Sequence, residues 1–243
     1  MARALWRWAL LVLVAALGLQ LFFILRIALM AVVDPASTSF QRSEAWRIVQ
    51  ANGQLRWRQQ WVPYNRISDH LKRAVIASED DGFVQHDGMD WAAIEKAWER
   101  NARAEERAST TARAGQAVRA VKVVGGSTIT QQLAKNLLLS GERTIARKAQ
   151  EAVLTVALEV FLSKRRILEI YLNSVEWGQG VFGAEAAAQH YFRKSAANLS
   201  AWEAARLAVM LPAPKRFEKL PNSAYLAGRS AVILGRMGGA VLP

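Results

Sequence analysis

The sequence predicts a mainly α-helical domain behind one long apolar N-terminal helix, and three observations carry that expectation. Apolar residues recur at three- and four-residue spacing through most of the chain after Ser68. Strand-like alternation is scarce. An uncharged apolar run of membrane length, Trp8 to Leu25, sits at the N-terminus. Of 243 residues, 52% are hydrophobic and 21% charged, which supplies a core and excludes an intrinsically disordered chain. With no cysteine, disulfides, thiolate zinc sites, iron–sulfur clusters and cysteine nucleophiles are excluded. The formal net charge of +12 suits polyanionic partners.

The first element is the run WALLVLVAALGLQLFFIL, which at about 1.5 Å per residue nearly spans a hydrocarbon core of roughly 30 Å. Ile27 to Val33 can extend it, because Arg26 can snorkel to the interface, and Asp34-Pro35 stops the helix. The run exceeds an ordinary signal-peptide core and no small-x-small cleavage site follows, so it reads as an uncleaved single-pass anchor. Arg3 and Arg7 before it favour a cytoplasmic amino terminus. Residues 1–33 are therefore expected to form the cytoplasmic tip and anchor, 34–66 a stalk and membrane-proximal segment, and 67–243 the main domain.

Residues 46–64 alternate enough to suggest a hairpin-like or extended segment around Asn52-Gly53. Trp46, Trp57 and Trp61 with Arg47, Arg56 and Arg58 have the composition of a headgroup-facing surface, and equally that of an aromatic core with a solvated basic face. Helical patterns follow at Leu71, Val75 and Ile76, and at Leu133, Leu137 and Leu138, and Ser163 breaks residues 153–172 into helix, turn and helix. The stretch from Lys96 to Val124 lacks a sustained apolar stripe between Asn101 and Gln116 and is expected to be mobile. Gly178-Gln179-Gly180-Val181-Phe182-Gly183 fits the GxGxxG string, but a helix precedes it and no βαβ unit surrounds it. It reads as a tight connection into a helix over Ala184 to Phe192.

Three segments carry chemistry. Glu79 and Asp80 end an apolar helical stretch beside a Gly-containing loop, where one apolar wall and the negative end of a helix dipole raise a carboxyl pKa toward acid/base use. Thr128 and Gln131 have capping-box spacing after a Gly pair, so free N–H groups are expected near Gly126 to Thr130, an end that attracts phosphate. Gln131 with Lys135, and Gln132 with Asn136, spend polar side chains on an otherwise apolar helix. Arg147, Lys148 and Glu151 share a helix face, either as a surface salt bridge or as cations for a pyrophosphate. His70, His86 and His190 lie far apart without HExxH spacing, so a zinc hydrolase is not indicated; His86 is placed to orient the acidic loop.

In order, Glu79-Asp80-x-x-Phe83-x-x-His86-x-Gly88, Gly126-Ser127-Thr128-Ile129-x-Gln131-Gln132-x-x-Lys135-Asn136, Arg147-Lys148-x-x-Glu151 and Lys164-x-x-Ile167-Leu168-Glu169-x-Tyr171-Leu172-Asn173 resemble the signature motifs of the peptidoglycan glycosyltransferases. Gly183 to Lys194 resembles the fifth motif. The resemblance covers roughly residues 60–215 and points to the monofunctional form. It implies a lysozyme-like glycosyltransferase domain on the outer face of the cytoplasmic (inner) membrane. There it would join undecaprenyl-pyrophosphate-linked glycan to lipid II by an inverting transfer, forming β-1,4 links. By the same resemblance Glu79 is the general base, and Glu151, with Lys135, Arg147 and Lys148, stabilises the departing pyrophosphate. Ser127, Thr128, Gln131, Gln132 and Asn136 line the donor side, and Asp80, Phe83 and His86 support. It leaves room for a divalent cation, Mg or Mn, on Glu151, and for other cell-wall synthesis proteins as partners, with no nucleic acid.

The length of residues 96–124 departs from the short connection expected there. Two rival readings remain at this level: a lysozyme-like hydrolase or lytic transglycosylase, which would also use a Glu, and a non-catalytic membrane-tethered scaffold. The basic trio has no obvious purpose in the first, nor the two glutamates in the second.

Overall fold

A computed structural model describes residues 1–113, 125–139, 141–142 and 144–243. The anchor sequence forms α1 (Ala2–Leu29), long and apolar enough to cross a membrane, and none of its apolar window is buried. Only the C-terminal end of α1 meets the rest of the protein. Ile27 and Met30 join the core, and Gln20 exchanges two side-chain amide hydrogen bonds with Gln150, at 2.7 and 2.9 Å. Arg166 fixes the exit from the helix by donating to the Met30 carbonyl and to Asp34.

The next segment corrects the expected stalk and hairpin. Residues Ser39–Asn52 form α2, opened by a complete capping box between Thr38 and Gln41 and closed by Gly53 at φ +68°. Gln41, Glu44 and Ile48 are buried, so the packed body begins near Thr38 instead of residue 67. Neither reading of the Trp/Arg cluster holds for all of it. Trp57 stacks on Phe182 and Trp61 packs against the core beneath Arg166, whereas Trp46 is exposed.

The body is built from helices whose caps the sequence supplies. Ser68 caps α3 (Asp69–Glu79), Thr128 caps α5 (Ile129–Leu138), Thr144 caps α6 (Ile145–Phe161), and Ser163 caps α7 (Lys164–Ser174), each worth about 1 kcal/mol. Leu71, Ala74 and Val75 share one face of α3 and are fully buried, and α3 packs on α9 (Ala201–Met210) and α11 (Ala224–Arg236). Truncating Leu71 to Ala would cost about 2–5 kcal/mol. Asn173 ties the chain after α2 to α7, accepting from the Val62 N–H and donating to the Val62 carbonyl, both at 2.9 Å.

The expected mobile stretch divides. Residues 96–113 continue the helix α4 (Trp91–Arg113), and 114–124 lie outside the described residues. The GxGxxG string forms a small sheet: β2 (Glu176–Gly178) turns antiparallel into β3 (Val181–Phe182), which pairs in parallel with β1 (Arg58–Gln59). Gly180 stands at φ +74°, and a Cβ there would lie 2.1 Å from the Arg56 carbonyl oxygen, so only glycine fits. The helix α8 (Ala184–Phe192) follows as the spacing predicts, and α10 (Pro214–Glu218) packs on β2.

Candidate active site

The elements converge on a cavity of about 640 Å³ bounded by α2, α5, α6, β2 and the approach to α10. Gln132, Lys135, Asn136 and Arg147 line it, together with Glu44 and Glu176. Glu79 is the last residue of α3, and its Oε2 accepts from Gln132 Nε2 at 2.9 Å. Tyr171, fully buried, donates to Gln132 Oε1 at 3.1 Å, which turns the amide nitrogen toward Glu79. Burial pushes the Glu79 carboxyl above the ordinary range; the Gln132 hydrogen bond opposes this and the neighbouring Asp80 charge adds to it.

Glu151 sits in a different environment. It is 3% exposed, and its two oxygens are taken by Arg147 at 2.8 Å and Lys148 at 2.5 Å. Lys135, one turn along α5 from Gln132, lies in the field of this cluster: desolvation lowers its pKa, Glu151 raises it, and Arg147 and Lys148 lower it again. One turn of α5 thus joins the two carboxylates, touching Glu79 through Gln132 and facing Glu151 through Lys135.

The remaining expected residues divide by task. Asp80 accepts from the Ile129 N–H at 3.0 Å and from His86 Nε2 at 2.8 Å. Because the Gly88 N–H donates to His86 Nδ1 at 3.1 Å, the ring proton lies on Nε2, facing Asp80. Phe83 is fully buried under the Lys164 ammonium, which donates to the His86 carbonyl and to Glu159. Thr128 and Gln131 cap α5 reciprocally, and the Thr128 hydroxyl also donates to the Gly88 carbonyl at 2.6 Å.

This corrects the expectation of free N–H groups and sets three of the expected donor-side residues apart from the cavity. The N–H groups of Ile129 and Gln131 are not free for phosphate, since Asp80 and Thr128 take them. Thr128 and Gln131 build the frame and do not line the cavity; Ser127 is exposed and lies outside its lining. At the expected cation site Glu151 has both oxygens bound by side-chain cations, and among the described residues no three His, Asp or Glu side chains form a group that could hold a metal ion.

Sequence reasoning missed Glu44, Glu176 and Lys215. Lys215 reaches Glu44 at 2.6 Å and Glu176 at 3.2 Å across long chain separations that no local spacing reveals. One signal was present: a carboxylate inside the apolar run Val175-Glu176-Trp177.

A family model described as Transglycosylase matches residues 47–238. The chain belongs to the transglycosylase family. It is 53% identical over 229 residues to a biosynthetic peptidoglycan transglycosylase of Burkholderia thailandensis, covering 94% of this chain and 84% of that protein. A biosynthetic peptidoglycan transglycosylase of Herminiimonas arsenicoxydans is likewise 53% identical, over 97% of this chain and 96% of its own length. The transglycosylase match begins inside α2, in keeping with a packed body that includes that helix.

Proposed function

We propose that this transglycosylase polymerises peptidoglycan glycan strands, transferring the growing glycan from undecaprenyl pyrophosphate to the GlcNAc 4-hydroxyl of lipid II. In this reading ionised Glu79 removes the hydroxyl proton as the oxygen attacks the anomeric carbon of the α-linked donor. The bond to the pyrophosphate breaks, and attack from the opposite face leaves a β-1,4 link. Lys135, Arg147 and Lys148 offset the charge that develops on the leaving group, and Glu151 holds the cations in place.

The observation that carries the proposal is the α5 bridge: one helical turn connects a carboxyl of raised pKa, through Gln132, to a cation cluster, and Gln132, Lys135 and Arg147 line one cavity. Arg147 Nε supports it further, being a buried donor without a partner among the described residues and so available to a ligand oxygen. For location, α1 supports a membrane anchor with the domain on the outer face. Val153, Val156, Val160 and Phe161 are exposed on α6, the helix that α1 packs against, an apolar surface suited to the bilayer beside a lipid-linked substrate.

The test is incubation with labelled lipid II in detergent. The wild type should give a polymer ladder on a gel, and Glu79→Gln should give none while retaining its helical circular dichroism. Soluble muropeptides released from purified sacculi, without a ladder, would refute the proposal in favour of a hydrolase.

A further inference from the structure

Among the described residues, only two buried side-chain polar atoms lack a hydrogen-bond partner, Arg147 Nε and Glu176 Oε1. Both belong to residues that line the same cavity. An orphaned buried polar atom is costly in a folded protein, and a donor and an acceptor left open on one cavity have a common explanation in a ligand that reaches both. Arg147 belongs to the cationic cluster already described. Glu176 belongs to a different one.

Glu176 opens β2 and is 6% exposed. Its Oε2 meets Lys215 of α10, and the same ammonium is held more closely by Glu44 of α2, which Arg47 also contacts at 2.6 Å. The two carboxylates lining this part of the cavity are balanced by Lys215 and Arg47, so the cluster offers a diphosphate no excess of positive charge. Phe40, Val175 and Leu211 supply apolar surface beside them, and Ser39 and Ser43 supply hydroxyls. Apolar faces with a few converging hydrogen-bonding groups and no excess of cations suit an uncharged sugar ring.

Building on the polymerase reading, we propose that Glu176, positioned by Lys215 and Glu44, is a saccharide-recognising residue that hydrogen-bonds a hydroxyl or N-acetyl group of the bound glycan. The cavity is thereby divided by charge. Lys135 and Arg147 take the diphosphate, and the Glu176 group takes the sugar attached to it. Burial pushes the Glu176 carboxyl up to about 7; Lys215 opposes the shift, Glu44 adds to it, and a hydrogen bond from the Gly180 backbone to the carboxyl opposes it again, with Arg47 and Tyr191 also in its field. A carboxyl near neutrality can donate to a carbonyl or accept from a hydroxyl, and which it does changes across the physiological range.

The test compares lipid II with undecaprenyl pyrophosphate, which carries the diphosphate and no sugar, as a competitive inhibitor. Glu176→Ala should raise the KM for lipid II at least tenfold and leave inhibition by undecaprenyl pyrophosphate within twofold of the wild type. Lys135→Ala should weaken that inhibition at least tenfold. Glu176→Gln, which keeps the shape, should remove the change in KM that the wild type shows between pH 6 and 8. Equal losses toward both ligands in Glu176→Ala would mark Glu176 as merely structural, and an unchanged KM would also overturn the proposal. A wild type that forms no polymer would instead defeat the underlying polymerase reading.

Discussion

The tip of α3 and the first turns of α6 each present a glutamate toward one helix, α5, in contrasting settings. Among the described residues Glu79 has only neutral partners, the Gln132 amide and the Ser78 hydroxyl, and burial without a counter-ion raises its pKa. Glu151 is more deeply enclosed but has a cation on each oxygen. A carboxyl facing a neutral amide in a buried setting can take a proton, and one with a cation on each oxygen is placed to hold those cations. In the proposed reading residue type alone does not separate base from clamp; the charge of the partners does.

The largest expected effect breaks that contrast directly. Glu79→Gln should lower the polymerisation rate about 10³-fold, within the usual range for a general base, without lowering the melting temperature. The sign of the stability effect follows from the raised pKa. Stability linked to Glu79 is present below the unfolded value near 4.5 and is lost as pH rises through the folded value, so Glu79→Gln should match or exceed the wild type at pH 7. Glu151→Gln should behave differently, losing about 1–3 kcal/mol of stability because the half-buried Arg147 is left without its charged partner, together with a smaller, roughly 10- to 100-fold loss of rate. Thermal melts in detergent beside the gel assay separate the two.

Next in size is Gln132→Leu. It removes the hydrogen bond that holds the Glu79 pKa down, so the rise of activity with pH should move to higher pH and the rate at pH 6.5 should fall about tenfold. Recovery at pH 8.5 would distinguish this from a collapse of the site. The smallest effect expected is that of a chelator. Because the Glu151 oxygens are occupied by side-chain cations, EDTA should change the initial rate less than twofold.

What the sequence made legible was what neighbouring residues determine. The caps at Ser68, Thr128 and Ser163 are i to i+2 or i+3 bonds; Thr128 caps where its capping-box spacing put it, and Ser68 and Ser163 stand where the apolar pattern starts or breaks. α2 was missed, although Thr38 and Gln41 carry the same capping-box spacing as Thr128 and Gln131, because a polar helix with few apolar positions shows little periodicity. In α4 the residues through Arg113 are helical despite a thin apolar stripe; the Glu99–Arg103 pair at i,i+4 is the local signal that supports a polar helix. In the site, the motif residues were identifiable but their division of labour was not. That Asp80 spends a carboxylate on the Ile129 N–H, or that Lys215 bridges Glu44 and Glu176, depends on contacts between segments far apart in the chain.

The central claim is that Glu79 must be ionised to act, and the single-turnover rate of labelled lipid II polymerisation against pH tests it most directly. The account predicts a rate that climbs tenfold per pH unit and levels off at a midpoint above the ordinary glutamate value, with Glu79→Gln slow and flat across the range. A wild-type rate independent of pH from 4.5 to 8, or a Glu79→Gln variant that follows the wild-type curve, would contradict it.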